Sequence, residues 1–206
     1  SYIFTKDVIV LLNTNINLQN LKKLIKLYKP NEVIGKNFLD IDGYKKIFTI
    51  GDYSCYEDKK APDHNLHKDL CALLTTSGTT GSSKFVRLSY QNILSNTKSI
   101  CNFLKIKKSD VLITTLPVDY TFGFSQINTH LYKGSTIVLN KYSIIQKQFW
   151  NLLHQTKSTT FGGVPYTYEL MKRLDISKFN IDSIKYLTQA GGKLDAGKQF
   201  YFFNLL

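Results

Sequence analysis

The stretch Thr75 to Lys84, TTSGTTGSSK, most restricts what this chain can become, because small polar residues here separate two apolar runs. LCALL at Leu70 to Leu74 precedes it and FVRL at Phe85 to Leu88 follows. Short apolar runs bounded by turn residues read as buried strands, so the segment is a loop that leaves a strand end. Gly78 and Gly81 permit positive φ and let backbone N–H groups approach a ligand closely. Ser77, Thr79, Thr80, Ser82 and Ser83 add hydroxyls, and Lys84 adds an ammonium. Hydrogen bonds to a charged partner contribute roughly 1.5 to 3 kcal/mol each, so several together suit a polyphosphate. A solvated Ser/Thr/Gly connection is the alternative. The loop is not the GxxxxGK[ST] type of nucleotide triphosphatases. Counted from Gly78, the second glycine of that pattern falls on Ser83 and the magnesium-binding hydroxyl on Phe85.

A chain of 206 residues can bury roughly 70% of its unfolded surface. Its 43% hydrophobic and 13% aromatic content exclude a disordered protein. The formal charge of +12 invites a nucleic-acid reading. The lysines are spread from Lys6 to Lys198 with no run longer than a pair such as Lys107 and Lys108, and the only arginines are Arg87 and Arg173. That scatter argues against a base-reading stripe, while the same positive field favours anionic nucleotides. Cys55, Cys71 and Cys101 are odd in number and widely spaced, which fits a reducing cytoplasm and neither a disulfide scaffold nor a CxxC knuckle. No run reaches the roughly 20 apolar residues of a membrane span, and SYIFTKDVIVLL lacks a cationic leader region, so a soluble, unprocessed chain is expected.

DVIVLL at Asp7 to Leu12 reads as a strand, the spacing Leu18, Leu21, Leu24, Ile25, Tyr28 as a helix ending before Pro30, and EVIG at Glu32 to Gly35 as the next strand. Together they predict a βαβ unit of a parallel sheet. From Lys36 to Asp69 the pattern loosens into a variable lobe with one strand-like alternation at Lys46 to Tyr53; Asp63, His64, His67, Asp69 and Cys71 read as a polar loop rather than a metal cluster. Ser89 is the expected N-cap of a helix over Tyr90 to Leu104. DVLITTL at Asp110 to Leu116 is strand-like and runs through Pro117 into VDYTFGF, an aromatic turn at a strand end, where open α/β sheets bind ligands. Tyr120, Phe122 and Phe124 are equally suited to filling a core. Helix, strand and helix follow at 125–132, 134–139 and 144–154, then a strand at Ser158 to Phe161, GGVP, and a helix from Tyr166 to Leu174. IKYLT at Ile184 to Thr188 is the last strand, leading to Gln189, Ala190, Gly191, Gly192 and Lys193, before a helix from Asp195.

In TTSGTTGSSK, seven positions (Thr76, Ser77, Gly78, Thr79, Thr80, Gly81 and Lys84) match TSGTTGxPKG, the first core motif of the adenylate-forming, or AMP-binding, superfamily of acyl- and aryl-CoA synthetases, luciferases and nonribosomal adenylation domains. Ser83 and Phe85 depart from its proline and glycine. LP followed by FG, GVP before a helix, and a GG after a strand resemble later motifs of that superfamily in the same order; Tyr120 stands where many members have histidine. The resemblance spans roughly residues 7 to 206 and implies an α/β fold, a mostly parallel sheet flanked by helices, from the central part of the large N-terminal domain. It implies residues 1–70 as the βαβ unit plus variable lobe, 71–206 as the phosphate-loop and acyl-pocket subdomain, and no C-terminal domain.

By the same resemblance, a carboxylic acid is activated with ATP and Mg2+ as acyl-AMP and passed to the thiol of CoA or a carrier protein. Thr76, Ser77, Gly78, Thr79, Thr80, Gly81 and Lys84 would hold the phosphates. Tyr120, Phe122, Gly123, Val164, Ala190, Gly191, Gly192 and Lys193 would border the adenine and acyl pocket, with the glycines leaving ligand space that a Cβ would fill. No YGxTE segment, ribose aspartate or C-terminal lysine has a counterpart here, so the chain is expected to be a fragment without a complete catalytic set and with negligible turnover alone. A non-catalytic nucleotide-binding module and a basic nucleic-acid binder stand as the alternatives.

Overall fold

The computed structural model describes residues 7–36, 40–75 and 85–205. The seven phosphate-loop residues Thr76, Ser77, Gly78, Thr79, Thr80, Gly81 and Lys84 lie outside the described residues. Two compact units are present: residues 13–68 form one, and the chain up to Leu12 together with that from Asp69 onward forms the other.

In the larger unit the first strand, β1 (Ile9–Leu11), is followed far along the chain by its partner. In the smaller unit, the helix α1 (Leu18–Tyr28) buries Leu21 and Ile25, one turn apart, and is capped by Asn17, whose Oδ1 accepts from the Asn20 amide at 2.8 Å. Beside it, β2 (Glu32–Lys36), β3 (Lys45–Ile50) and β4 (Tyr53–Glu57) make an antiparallel sheet in the order β2-β4-β3. The variable lobe therefore holds a paired sheet where the alternation suggested one small strand. His64 Nε2 lies 2.9 Å from the carbonyl of Lys29.

The larger unit contains two further sheets. The strand β5 (Leu70–Thr75) pairs parallel with β1, Ile9 opposite Ala72, and antiparallel with β6 (Phe85–Ser89), Thr75 opposite Phe85. This corrects the βαβ expectation: the strands at 9–11 and 32–36 belong to different sheets and different units. Apolar runs of similar length carry no label of their partner, and β1 finds the more deeply buried β5, where Cys71, Ala72 and Leu74 are core residues.

The helix α2 (Tyr90–Leu104) starts where its cap predicts. Ser89 Oγ accepts from the Asn92 amide and Asn92 Oδ1 accepts from the Ser89 amide, both at 3.0 Å, a reciprocal capping box. Then come β7 (Val111–Ile113), α3 (Thr121–Tyr132), β8 (Thr136–Val138), α4 (Lys147–Gln155), β9 (Thr160–Gly163), α5 (Pro165–Leu174), β10 (Tyr186–Gln189) and α6 (Ala196–Leu205). The four strands form a wholly parallel sheet in the order β10-β9-β7-β8.

Chain order and strand order together place the helices. The connection from β7 to β8 runs one way across the sheet, while those from β8 to β9 and from β9 to β10 run the other way. With right-handed crossovers, α3 covers one face and α4 and α5 cover the opposite face. Packing agrees: Phe149 and Trp150 of α4 meet Phe161 of β9 at ring-centroid distances of 5.6 and 6.4 Å, and Tyr168 and Met171 of α5 join the same apolar core. On the other face Cys101 of α2 donates its thiol to the Thr129 carbonyl of α3 at 3.4 Å. None of the described helices is long and apolar enough to cross a membrane.

Candidate functional site

Because β7 and β9 are neighbours whose connections leave in opposite directions, a crevice opens between their carboxyl ends. In parallel α/β sheets this is where ligands bind. Three segments rim it: 114–120 after β7, 163–165 after β9, and 190–193 after β10.

The segment after β7 is anchored at its start, on both neighbouring strands. The Thr114 amide donates to the Val138 carbonyl, and the Asn140 amide donates to Thr114 Oγ1 at 2.9 Å. The Thr115 hydroxyl donates to the Gly162 carbonyl, tying this segment to β9. Beyond Pro117 the chain does not make the expected aromatic turn. Tyr120 is the N-cap of α3, and Phe122, Gly123 and Phe124 occupy its first turn. Gly123 is buried there, and a Cβ on it would overlap the Pro117 carbonyl oxygen and come within 3.1 Å of the Leu116 carbonyl oxygen. Its smallness thus serves the turn into the helix rather than a ligand.

β9 ends on two buried glycines, Gly162 and Gly163. A Cβ on Gly163 would meet Thr167 Cβ at 2.8 Å, so the strand passes directly beneath the start of α5. Val164 is the N-cap and Pro165 the first residue of that helix, the position at which proline's missing N–H costs nothing.

After β10 the Ala190 amide continues the ladder to the Gly163 carbonyl at 3.3 Å. Gly191 has φ of +83°, a left-handed conformation open to glycine with little strain. The Gln189 side chain donates to the Gly192 carbonyl at 2.8 Å and closes the turn. A Cβ on Gly191 would stand 2.5 Å from the Tyr120 hydroxyl oxygen and 3.2 Å from Val164 Cγ1. On Gly192 it would stand 3.2 Å from Pro165 Cγ. The space denied to a side chain at Gly191 is therefore taken by Tyr120 and Val164, where the sequence suggested that a ligand would fill it.

The structure thus brings Tyr120, Val164 and Gly191 together at the crevice, with half-buried Phe122 and Ala190 beside them in the chain and Lys193 exposed to solvent. The strands on either side of residues 76–84 are register partners at Thr75 and Phe85, so that segment connects two antiparallel strands, unlike the strand-to-helix loop of the triphosphatases.

Several residues that the sequence reading passed over lie just below this rim. Gln126, one helical turn after Phe122 and 8% exposed, donates from Nε2 to Thr188 Oγ1 at 3.3 Å. The Thr188 carbonyl accepts from the Tyr168 hydroxyl at 2.8 Å, and burial pushes that phenol's pKa up, so it stays a donor. Deeper still, His130 Nδ1 donates to the Gln126 carbonyl at 2.8 Å. Burial holds this imidazole below its ordinary value of 6.5, although the Gln126 carbonyl and Asp110 pull the other way. Asp110 Oδ1 accepts from Lys185 Nζ at 2.6 Å, and its Oδ2 accepts from the Lys107 amide at 2.8 Å. Burial pushes the Asp110 carboxyl up, but these two donors outweigh it and leave it below 3.8.

This geometry defines an open α/β protein whose parallel strands end at a topological switch point, the place where such folds bind ligands. The chain belongs to the AMP-binding enzyme family, whose match covers residues 4–199. It is 25% identical over 182 residues to long-chain-fatty-acid–CoA ligase 1 of Schizosaccharomyces pombe, covering 84% of this chain and 27% of that protein. It is 26% identical over 160 residues to a long-chain-fatty-acid–CoA ligase of Bacillus subtilis, covering 73% of this chain and 28% of the relative. The chain therefore spans about a quarter of the length of these relatives. Among solved structures, the O-succinylbenzoate coenzyme A synthetase of Bacillus subtilis in complex with AMP superposes with a TM-score of 0.58 at 21% identity, over 66% of this chain and 27% of that one. The adenylate-forming fold is shared.

Proposed function

We propose that this chain is part of an ATP-dependent acid–thiol ligase that activates a carboxylic acid as acyl-AMP. The observation that carries this reading is the AMP-binding enzyme match over residues 4–199, within which the TSGTTGSSK loop lies between paired strands. In the reaction, a carboxylate oxygen attacks the α-phosphorus of ATP, the bond to the bridging oxygen breaks, and pyrophosphate leaves. Catalysis of such a step rests on positioning and on charge neutralisation.

In this proposal Thr76, Ser77, Gly78, Thr79, Thr80, Gly81 and Lys84 hold the β- and γ-phosphates through amides, hydroxyls and one ammonium. Tyr120, Phe122, Val164, Ala190, Gly191, Gly192 and Lys193 border the acid and the adenine, with Gly123 supporting them from inside α3. Among the described residues no three His, Cys, Asp or Glu side chains could hold a metal ion. Mg2+ would arrive with the nucleotide, bound by phosphate oxygens and water. A thiol of CoA or of a carrier protein would then displace AMP.

The test is ATP–pyrophosphate exchange by the complete polypeptide that the gene encodes. Exchange that depends on a carboxylic acid and falls roughly tenfold to a hundredfold in Lys84→Ala, the loss of one charged hydrogen bond, supports the reading. Exchange unchanged by Lys84→Ala removes the loop from the chemistry, and no exchange with any acid removes the function.

A further inference from the structure

We propose that the edge of the parallel sheet where α2 and α3 finish is a docking face for an anionic lipid bilayer, a role separate from acid activation. Charge is unevenly spread along the chain. From residue 70 to residue 168 there are ten Lys and Arg residues against two acids, Asp110 and Asp119. Both helices lie inside that stretch and contain no Asp or Glu. Asp110 is buried and already bonded to the Lys107 amide and to Lys185, so it does little to neutralise the outer surface.

Because β7 and β8 are parallel neighbours, the helices that lead into them both end at the amino ends of the strands. The contact from Cys101 to the Thr129 carbonyl sets their last turns side by side. The turns that follow are fastened together, since Ser135 Oγ donates to the Lys107 carbonyl at 2.9 Å. Lys105 and Lys133 are the C-caps of the two helices, and exposed Lys107 and Lys108 follow in the joined turn. Among the described residues none of these four lysines forms an ion pair.

Apolar side chains stand out between these cations. Phe103, in the last turn of α2, is 84% exposed; Leu131 and Tyr132, in the last turn of α3, are 61% and 49% exposed. Phe103 and Leu131 each come two residues after a buried one, Cys101 and Thr129, and so lie on the outer side of their helices. The dipoles of the two helix ends favour Lys105 and Lys133 but give no reason for exposed phenylalanine and leucine beside them. Lysines that meet lipid phosphates, with a ring and an aliphatic side chain at headgroup depth, fit the boundary of a bilayer. A nucleic acid would favour arginine and stacking planes, and Leu131 offers neither. Burying Lys105, Lys107 and Lys108 without partners would be costly, which keeps this edge at the surface of the complete polypeptide. The switch point lies at the opposite, carboxyl ends of the strands, so a protein seated this way leaves it facing water.

The experiment is cosedimentation of the complete polypeptide with vesicles of phosphatidylcholine alone or with about 30% phosphatidylglycerol. Binding is expected to the mixed vesicles and weakens as salt rises from about 0.1 to 0.5 M. Each lysine removed costs about fivefold, so Lys107→Gln with Lys108→Gln binds roughly 25-fold more weakly. Phe103→Ser with Leu131→Ser weakens binding roughly tenfold or more and leaves its salt dependence unchanged. The equal change of charge in Lys141→Gln with Lys147→Gln, at the carboxyl ends of the strands, leaves binding as it was. An unchanged urea midpoint checks that these surface variants fold. No preference for the anionic vesicles overturns the inference, as does a loss at Lys141 and Lys147 equal to that at Lys107 and Lys108. Retention on duplex DNA, or self-association abolished by Phe103→Ser, in place of vesicle binding, overturns it as well.

Discussion

The two faces of the parallel sheet β10-β9-β7-β8 are built from different chemistry. Toward α4 and α5 it presents Ile113, Val138, Phe161 and Leu187 to an aromatic core in which Phe149 and Trp150 meet edge to face at 5.1 Å and Trp150 stacks on Phe179 at 4.8 Å. Toward α3 the alternate residues are Leu112, Thr160, Gly162, Tyr186 and Thr188, beneath Gln126, Thr129 and His130. The apolar face is held by burial, each large side chain contributing about 1.5 to 3 kcal/mol. The polar face depends on specific pairs, Gln126 with the Thr188 hydroxyl and His130 Nδ1 with the Gln126 carbonyl, which fix geometry but tolerate little change. The crevice opens above the polar face, where position matters more than cohesion.

The largest expected effect lies on the apolar face. Phe149→Ala, at a fully buried position, should cost about 3 to 5 kcal/mol in urea unfolding, and a loss below 1 kcal/mol would break the contrast between the faces. On the polar face, Thr188→Val should cost about 1 to 3 kcal/mol by stranding the Gln126 amide, whereas Thr188→Val with Gln126→Leu should recover part of that loss. A double variant no better than the sum would deny that the pair acts together. Lys185→Met should cost about 1 to 3 kcal/mol at neutral pH, because it leaves the buried Asp110 carboxylate with the Lys107 amide as its remaining hydrogen-bond donor. A much smaller loss would remove this ion pair from the supports of the polar face.

A smaller effect follows from His130. Its pKa is lowered in the folded state, so its contribution to stability is present above 6.5 and is lost as pH falls through 6.5 toward the folded value. The loss from this group cannot exceed about 1.4 kcal/mol per pH unit, and His130→Gln should flatten the stability profile just below pH 6.5. Asp110, also lowered, keeps its contribution down to about 3.8 and loses it below, so it does not confound that window.

Much of the fold was legible because its signals are local. Ser89 and Asn92 are three residues apart and fix the start of α2; the spacing Leu21 and Ile25 gives the buried face of α1. The crevice was legible in part, since Tyr120, Val164 and Gly191 each carry a motif and do meet. The helical turn at 121–124 was not, because aromatic residues and a glycine after a proline suit a loop equally well, and only the Pro117 carbonyl packed on Gly123 decides for a helix. Gln126 gave no signal at all. A glutamine inside a helix reads as solvent-facing until the glycine it covers, 36 residues later, is set beneath it.

By itself the amino-acid sequence determined most of the order of strands and helices outside the variable lobe, the Ser89 cap and the polar stretch between β5 and β6. These depend on neighbours within a few residues, where the chain has almost no freedom to choose otherwise. Only the tertiary structure decided that β1 pairs with β5 rather than with β2, that Tyr120 closes on Gly191, and that an amide fills the space over Gly162. Those choices join segments tens of residues apart, and burial and hydrogen-bond pairing select them only once the whole sheet is assembled.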